Sequence, residues 1–390
     1  MDFHATPMFP RGFRCASRNC GLKPTAKDLA LFVSEVDAAA AAVFTRNQFP
    51  GAPVVLGRET IRGGALRAIV ANSKYSNVAT GPEGLAAARR MAAAAAREIQ
   101  SEASRVLVSS TGVIGVRLPI ETIEAGLAGM SRDLVADPLV GAEGIMTTDT
   151  YAKALSATVA GSRATITWVA KGSGMIEPNM ATMLVYIFTD AAVETRALDR
   201  ALRAAVHVSF NMLSVDTDTS TSDTCAILAN GLAGVVEMRA FTETLTAGCI
   251  RMTEMLARDG EGAEHLIRAT VRGAASEDDA RRVAKSLVNS PLVKTMVHGA
   301  DPNVGRLLMA VGKCVDVPLD PNATDAVING HPVVRGGRRL DFDDAVVRAT
   351  LAAEEIDLEV SLGTGSASAT AYGCDLTKRY IEENAAYYSS

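Results

Sequence analysis

The sequence predicts an α/β (α+β) protein in which antiparallel or mixed sheets are flanked by helices. Two observations predict this class. Alanine-rich segments with scattered charges are typical of helices, and short segments rich in β-branched and aromatic residues are typical of strands. The two kinds of segment do not alternate strictly, and no internal repeat is visible. Because the 390 residues exceed the roughly 100–200 residues of a typical domain, we expect two lobes.

In the first lobe, three helices and five strands are predicted. Residues 82–104 predict the longest helix, because alanine has the highest helix propensity. Two further helices are expected at 197–213 and 241–260, and the second of them ends at Gly260, a residue common just after helices. The predicted strands are residues 67–73, 105–115, 164–172, 183–188 and 226–231.

A second lobe is predicted to begin near residue 265. Its expected order is a strand at 265–274, a helix at 277–287, a Gly/Asp/Pro/Asn-rich loop at 298–306, and then further strands and a polar tail. We therefore expect a catalytic lobe at residues 1–264 and a smaller C-terminal α/β lobe at 265–390.

Composition argues against several classes of protein. A net charge of −5 implies no general attraction to nucleic acid or to an anionic membrane. The N-terminus lacks a signal-peptide-like stretch, and no run approaches the roughly 20 apolar residues that span a bilayer. The six cysteines form no C-x-x-C pair, so neither a zinc site nor a disulfide framework is predicted, and a cytoplasmic location is expected.

Histidine and serine motifs of common hydrolases are also absent from the sequence. The five histidines have no metal-ligand spacing, and there is no G-x-S-x-G motif. If this protein is an acyltransferase, its general base must therefore be a group other than histidine.

The polar run DTDTSTSDT at residues 216–224 permits more than one interpretation. It approaches the D-x-D-x-[TV] pattern of aspartate-nucleophile phosphatases but has Ser220 at the fifth position. A calcium-binding EF-hand loop is excluded by Thr221 at the sixth position and Ile227 at the twelfth. The preferred interpretation is a polar loop whose side chains bond to nearby backbone groups.

Two other segments suggest parts of an active site. Glu261 lies between two glycines where a predicted helix ends, and it is either a carboxylate that binds a substrate ammonium group or an exposed charge, the second being favoured. Thr111 and Gly112 follow an apolar strand, where a hydroxyl and backbone N–H groups can form an oxyanion hole.

Thr182 stands where a glycine-rich loop, KGSGMIEPNMA, becomes a strand. A threonine hydroxyl is a weak nucleophile unless a base lies beside it. A free N-terminal amine, with a pKa of about 7.7–8.0, is such a base. Cleavage of the Ala181–Thr182 bond would supply it, although threonine at the start of a strand is also common for reasons of β propensity alone.

Long motifs along most of the chain resemble the ornithine acetyltransferases (glutamate N-acetyltransferases) of arginine biosynthesis, an ArgJ-type family of self-processing N-terminal-nucleophile enzymes. The motifs, in order, are NVATG, STGVIG, IMTTDT, AKGSGMIEPNMATML, DTDTSTSD, DGEGA, VNSPLVKTMVHGADPNVGR and AYGCDLT. The resemblance implies the ArgJ/DmpA-type fold and cleavage into an α chain, residues 1–181, and a β chain, residues 182–390.

Residue roles follow from the same resemblance. Thr182 matches the nucleophile released by cleavage after Ala181, and Thr111 with Gly112 matches the oxyanion-hole pair. The positions that match substrate-binding residues are Thr147 or Thr148, Lys171, Thr182, Glu261, Asn384 and Ser389.

Three departures from the family pattern bear on substrate preference. Ala152 replaces a common proline, Val304 replaces a common tryptophan, and Ser222 replaces a common asparagine. None of them is a nucleophile or oxyanion position, so the resemblance implies intact catalysis. A secondary-metabolite (clavam-type) paralogue with another acyl substrate remains an alternative.

The implied reaction is ping-pong transfer of acetyl from N-acetyl-L-ornithine, through Thr182, to L-glutamate, with release of ornithine. No metal or organic cofactor is expected, and acetyl-CoA enters only as a second acetyl donor. The α and β fragments are expected to assemble as α2β2 or larger. A related amidase or aminopeptidase that uses water is the rival enzyme, and an inactive amino-acid-binding homologue is disfavoured because every aligned catalytic position is filled.

Overall fold

The structure is a computed structural model that describes residues 2–177 and 183–385. It divides into two compact units. The first unit comprises residues 2–172, 183–211 and 219–252, and the second comprises residues 173–177, 212–218 and 253–385. The predicted lobe boundary at residue 265 therefore lies inside the second unit, which also takes in two short segments of earlier sequence.

The strands are distributed over the whole described chain. In order they are β1 Phe13–Arg18, β2 Leu29–Phe44, β3 Ala65–Asn72, β4 Val106–Ser110, β5 Lys153–Thr158, β6 Thr165–Lys171, β7 Leu184–Ala192, β8 Leu213–Ser214, β9 Thr224–Val235, β10 Leu266–Ala274, β11 Asp325–Ile328, β12 His331–Arg335, β13 Arg338–Arg339, β14 Glu355–Ser361 and β15 Ala367–Cys374. All five strands predicted for the first lobe are present, but β4 ends at Ser110 instead of residue 115, and β7 and β9 extend beyond their predicted ends.

The helices lie between these strands. They are α1 Ala52–Thr60, α2 Gly81–Glu98, α3 Ile120–Leu127, α4 Pro138–Ile145, α5 Thr195–Val208, α6 Met238–Arg258, α7 Glu277–Asn289, α8 Pro291–His298, α9 Val304–Gly312, α10 Asp344–Thr350 and α11 Lys378–Ala385. Among the helices of the described residues, none has the length and apolar composition needed to cross a membrane.

The sheet of the first unit is mixed, as predicted. In the described chain it has eight strands in the order β4-β3-β2-β9-β7-β6-β5, with β1 paired to β2. The pairs β3–β4 and β7–β9 are parallel, whereas β2–β3, β2–β9, β5–β6 and β6–β7 are antiparallel. This arrangement brings the end of β6 beside the start of β7, with Lys171 paired to Leu184.

The sheet of the second unit is mixed too. Its order in the described residues is β13-β12-β11-β14-β10-β15-β8. The pairs β10–β14 and β15–β8 are parallel, and β10–β15 is antiparallel. The predicted strand at 265–274 and the predicted helix at 277–287 are confirmed as β10 and α7.

The core of the first unit covers both faces of its sheet. Leu29, Leu31 and Val33 of β2 pack with α2 and α3 on one face, and Ala30 and Phe32 pack with residues of β7 on the other. The division follows from the strand period of two, which sends successive side chains to opposite faces. The first eight positions of β7, which begin with an apolar run, are buried, as expected for a strand covered on both sides.

Strand β2 contains five consecutive alanines, Ala38–Ala42, and no strand is predicted there from sequence. Alanine favours helices locally, but in β2 this segment pairs with β3 and with β9. Small side chains allow this central strand to be packed closely, and most of these alanines are buried. Tertiary pairing therefore overrides local propensity at this position.

Several predicted element ends are wrong. Helix α2 ends at Glu98 instead of residue 104, and Gln100 follows with a φ of 52°. Helix α5 ends at Val208 instead of 213, and the chain enters a short 3₁₀ turn and then β8. Part of the predicted loop 298–306 forms the start of α9, and part of the predicted polar tail forms α11. Short helices of this kind depend on tertiary packing more than on propensity.

Candidate active site

Thr111 and Gly112 form a tight turn after β4. The Thr111 N–H donates to the Asn72 carbonyl at 3.0 Å, and the Val113 N–H donates to the Lys74 carbonyl at 2.9 Å. Gly112 has a φ of +126°, and a Cβ at this position would overlap the Lys74 backbone, so only glycine fits. Because the Thr111 N–H is engaged by Asn72, Thr111 can serve an oxyanion hole only through its hydroxyl, beside the Gly112 N–H.

Lys171, the last residue of β6, lies beside this turn. Its Nζ donates to Thr111 Oγ1 at 3.3 Å, and the lysine is 8% exposed. Thr111 Oγ1 accepts this bond, so its own proton remains available for donation to a ligand. The structure therefore brings Thr111, Gly112 and Lys171 together, as the resemblance implies.

Asp149 connects this region to the predicted substrate residues Thr147 and Thr148. Its Oδ1 accepts hydrogen bonds from Lys153 Nζ at 2.8 Å and from the Gly172 N–H at 2.7 Å, and its Oδ2 accepts from the Thr147 N–H at 2.9 Å. Both side chains of the Asp149–Lys153 pair are fully buried. Asp149 therefore joins the segment after α4 to the end of β6.

The charge of Asp149 is stabilised by lysines. Burial of the carboxylate disfavours its charged form, but the charges of Lys153 and Lys171 outweigh burial and hold the pKa of Asp149 below its ordinary value. Asp149 is not among the residues predicted for the site. The sequence pattern that could have identified Asp149 is its position four residues before a lysine that begins a buried strand. That pattern does not predict the hydrogen bond to Gly172.

In the second unit, Glu261 follows α6 and is 7% exposed, so the interpretation of Glu261 as a solvent-exposed charge is wrong. Its N–H donates to the Ser173 carbonyl at 3.1 Å, and its Oε2 accepts from Asn384 Nδ2 at 2.8 Å. Gly174 packs against the carboxylate so closely that a Cβ there would overlap it. Thus Glu261 and Asn384, two predicted substrate-binding residues, are in direct contact.

The polar run at 216–224 behaves as a loop that bonds to backbone, as preferred from sequence. The Asp216 carboxylate accepts from the N–H groups of Met175, Ile176 and Asp218 at 2.6–3.2 Å. Burial raises the pKa of Asp216 in spite of these bonds. The loop therefore fixes the segment 173–177, which precedes the predicted cleavage site in sequence.

The same segment has a second anchor at Glu177. The Glu177 carboxylate lies 3.3 Å from Lys285 Nζ and accepts from Asn289 Nδ2 at 2.8 Å and from Ser214 Oγ at 3.1 Å. Downstream, the Met183 carbonyl accepts from the Thr224 N–H at 3.0 Å. Ala181, Thr182 and Ser389 lie outside the described residues, so their predicted roles remain predictions.

Comparison with known proteins identifies the family. The model of the ArgJ family matches residues 14–389. The arginine biosynthesis bifunctional protein ArgJ 2 of Clostridium acetobutylicum is 42% identical over 382 residues, 97% of this chain and 98% of that protein. The arginine biosynthesis bifunctional protein ArgJ of Rhodococcoides fascians is 44% identical over 385 residues, 97% of this chain and 94% of that protein.

A solved structure is similar as well. The crystal structure of the arginine biosynthesis bifunctional protein argJ from Bacillus halodurans has 35% sequence identity and a TM-score of 0.50. The match covers 52% of this chain and 98% of that chain. Because the family model and two relatives extend over nearly the whole sequence, the chain belongs to the ArgJ family.

Proposed function

We propose that this protein is a glutamate N-acetyltransferase that moves acetyl from N-acetyl-L-ornithine to L-glutamate through an ester on Thr182. The observation that carries the proposal is the contact of Lys171 with Thr111 beside Gly112, on the strand that pairs with the start of β7. Leu184, the partner of Lys171 in that pairing, is two residues after Thr182 in sequence. Relatives named for arginine biosynthesis support the choice of substrates.

The first step is maturation. Thr182 Oγ attacks the carbonyl carbon of Ala181, the peptide C–N bond breaks, and the acyl group passes from nitrogen to oxygen. Water then hydrolyses this ester, which releases a carboxylate on Ala181 and a free α-amine on Thr182. The chain of the Bacillus halodurans structure is covered to 98% but matches 52% of this sequence, and a chain of that length supports cleavage near the middle.

The mature site performs acyl transfer without histidine. The Thr182 amine accepts the hydroxyl proton as Oγ attacks the acetyl carbonyl of N-acetylornithine, and it returns the proton to the departing ornithine amine. The amine of glutamate then attacks the acetyl ester, N-acetylglutamate leaves, and Thr182 is regenerated. Both tetrahedral intermediates carry an oxyanion, which the Thr111 hydroxyl and the Gly112 N–H stabilise.

Charged residues select amino-acid substrates. We assign Lys171 to a carboxylate or to the acetyl oxygen of the substrate, and Glu261 to the terminal ammonium group of ornithine. Ornithine carries this second amine and glutamate lacks it, so in the proposed site only the ornithine substrate forms an ion pair with Glu261. Asn384 orients Glu261 through the bond to Oε2, and Ser389 and one of Thr147 and Thr148 complete the proposed contacts. Association of the α and β fragments as α2β2 or larger belongs to the same proposal.

The word bifunctional in the names of the relatives favours a second acetyl donor. We propose acetyl-CoA, whose thioester carbonyl meets the same nucleophile and oxyanion hole. We propose no metal or organic cofactor for either reaction, and acetyl-CoA, where used, is consumed as a substrate.

One assay with three mixtures tests the proposal. N-acetylornithine with glutamate should yield N-acetylglutamate and ornithine in equal amounts, and acetyl-CoA with glutamate should yield N-acetylglutamate and free CoA. N-acetylornithine alone should yield little ornithine. Rapid ornithine release without glutamate would identify an amidase that uses water, and failure with both donors would contradict the proposed reaction.

A further inference from the structure

The second unit contains a cluster of two imidazoles and two carboxylates that the proposed acyl transfer does not use. His265 Nδ1 lies 2.9 Å from Asp375 Oδ2, and His298 Nδ1 lies 3.3 Å from the same oxygen. His298 Nδ1 is also 3.2 Å from Glu264 Oε2. The candidate ligand atoms of Glu264, His265 and Asp375 all lie within 4.8 Å of one another.

Asp375 is held so that one oxygen faces the imidazoles. Its side chain is fully buried, and its Oδ1 accepts from the N–H groups of Glu264 and His265 at 2.9 and 3.0 Å. These two backbone bonds fix the carboxylate and leave Oδ2 directed to His265 and His298. Such orientation of a ligand by backbone groups is typical of metal centres in proteins.

Three distances in the cluster are close to those around a tetrahedral ion. Zinc lies about 2.0–2.1 Å from imidazole nitrogen and about 2.0–2.2 Å from carboxylate oxygen, so neighbouring ligand atoms in a regular tetrahedron are about 3.3–3.5 Å apart. Three of the six distances among the four ligand atoms are 2.9, 3.2 and 3.3 Å, close to the tetrahedral value. Two nitrogens and two oxygens also match the ligand preference of zinc, whereas calcium and magnesium prefer all-oxygen sites.

We propose that Glu264, His265, His298 and Asp375 bind one Zn²⁺ ion. Both histidines bind through Nδ1, in the tautomer that carries its proton on Nε2. The ion connects the residues before β10, the last residue of α8 and the residue after β15. Ligands from separate segments are brought together only in the folded unit, so bound zinc stabilises the native state by mass action.

A hydrogen-bonded cluster without metal is the competing explanation. In that case both imidazoles donate a hydrogen bond from Nδ1–H to Asp375 Oδ2. Added zinc then has no specific binding site in the cluster. The two explanations therefore differ in one measurable property, the binding of a single ion per chain with high affinity.

The test uses purified protein from which any affinity tag has been removed and which has been dialysed against a chelator. Titration with ZnCl₂ followed by calorimetry should show one ion per chain and a higher melting temperature. Co²⁺, added in place of zinc, should give the strong visible absorption of a tetrahedral site. Zinc affinity should fall at least about 10-fold in Glu264→Gln and more in His298→Gln, since each loses a ligand.

His331→Gln is the matched control, because His331 begins β12 in the same unit and is not part of the cluster. It should bind zinc as the wild type does. Circular dichroism without metal establishes that each variant is folded. No stoichiometric binding to wild type, or equal zinc affinity in His298→Gln and His331→Gln, would overturn the proposal.

Discussion

Asp149 of the first unit and Glu261 of the second are both buried carboxylates, but they differ in what neutralises them. Asp149 meets the buried ammonium group of Lys153, and its pKa is lowered by Lys153 and Lys171. Glu261 meets the neutral amide of Asn384. A buried charge without a protein counter-ion is costly, so its partner is expected to come from elsewhere.

This difference indicates two kinds of role. Asp149 has its cation within the protein and acts as a positioning residue for the ends of β6 and α4. For Glu261 we propose instead a cation that the substrate brings. Variants of Asp149, of Glu261 and of the proposed nucleophile Thr182 test this division, and their expected effects range from loss of all activity to a small change in selectivity.

Replacing the proposed nucleophile has the largest effect. Thr182→Ala should abolish both chain cleavage and acetyl transfer, because alanine has no Oγ. Wild-type protein should separate on a denaturing gel into two fragments, and one should begin Thr-Met-Leu-Val by N-terminal sequencing. Thr182→Ser, which retains a hydroxyl, should still be cleaved. A wild-type chain that is uncut and fully active would exclude Thr182 as the nucleophile.

Asp149→Asn should lower the free energy of unfolding by about 3–5 kcal/mol, because the charge of Lys153 is left buried without its partner. The matched control is Asp199→Asn, which breaks an exposed pair with Arg203 at the same i,i+4 spacing and should cost at most about 0.5 kcal/mol. Denaturant unfolding measures both. Equal effects in the two variants would show that the buried pair contributes no more than a surface pair.

The lowered pKa of Asp149 also predicts a pH dependence. A carboxylate whose pKa is lower in the folded state stabilises the protein above its unfolded pKa of about 3.9, and this stabilisation is lost as pH falls through the folded value. The difference in stability between wild type and Asp149→Asn should therefore shrink on acidification. A difference that grows with acid would reverse the assigned sign.

Thr111→Ala should lower kcat about 100- to 1000-fold with little change in KM, as is typical when one oxyanion donor is removed. Thr111→Ser keeps the hydroxyl and should remain near wild type. Steady-state kinetics on the cleaved enzyme distinguishes the two. If Thr111→Ala changes KM alone, Thr111 binds substrate in the ground state instead.

Glu261→Gln should weaken the use of N-acetylornithine by about 2 kcal/mol, or roughly 30-fold in kcat/KM, through loss of the partner for its ammonium group. A small neutral acyl donor should be affected less, and chain cleavage should continue. Asn384→Ala, which removes only the orienting amide, should show the same preference to a smaller degree. Wild-type kinetics of Glu261→Gln with both donors would remove Glu261 from the site.

The smallest change is a single methyl group at Gly174. Gly174→Ala places a Cβ against the Glu261 carboxylate and should reduce selectivity for N-acetylornithine in the same direction as Glu261→Gln. Gly312→Ala is the control, because a Cβ at Gly312 meets nothing within 4 Å. If both alanine variants keep wild-type selectivity, the close approach of Gly174 does not position Glu261.

The sequence by itself determined the family, the mixed α/β class and the turn at Thr111–Gly112. Each of these depends on local patterns: long motifs in order, strands such as β4 and β7 with continuous apolar residues, and a glycine at a strand end. The resemblance also assigned Thr111, Gly112 and Lys171 to one site, and the contact of Lys171 with Thr111 is a finding of the structure.

Tertiary structure alone decided the contacts between distant residues. The alanine run in β2 is a strand because β3 and β9 lie beside it, and Asp149 is a positioning residue because Gly172 and Lys153 converge on it. Glu261 is buried because Gly174, far away in sequence, packs on its carboxylate. Local propensity cannot predict such contacts. Their interaction energy arises only when folding brings separate segments together and removes their side chains from water.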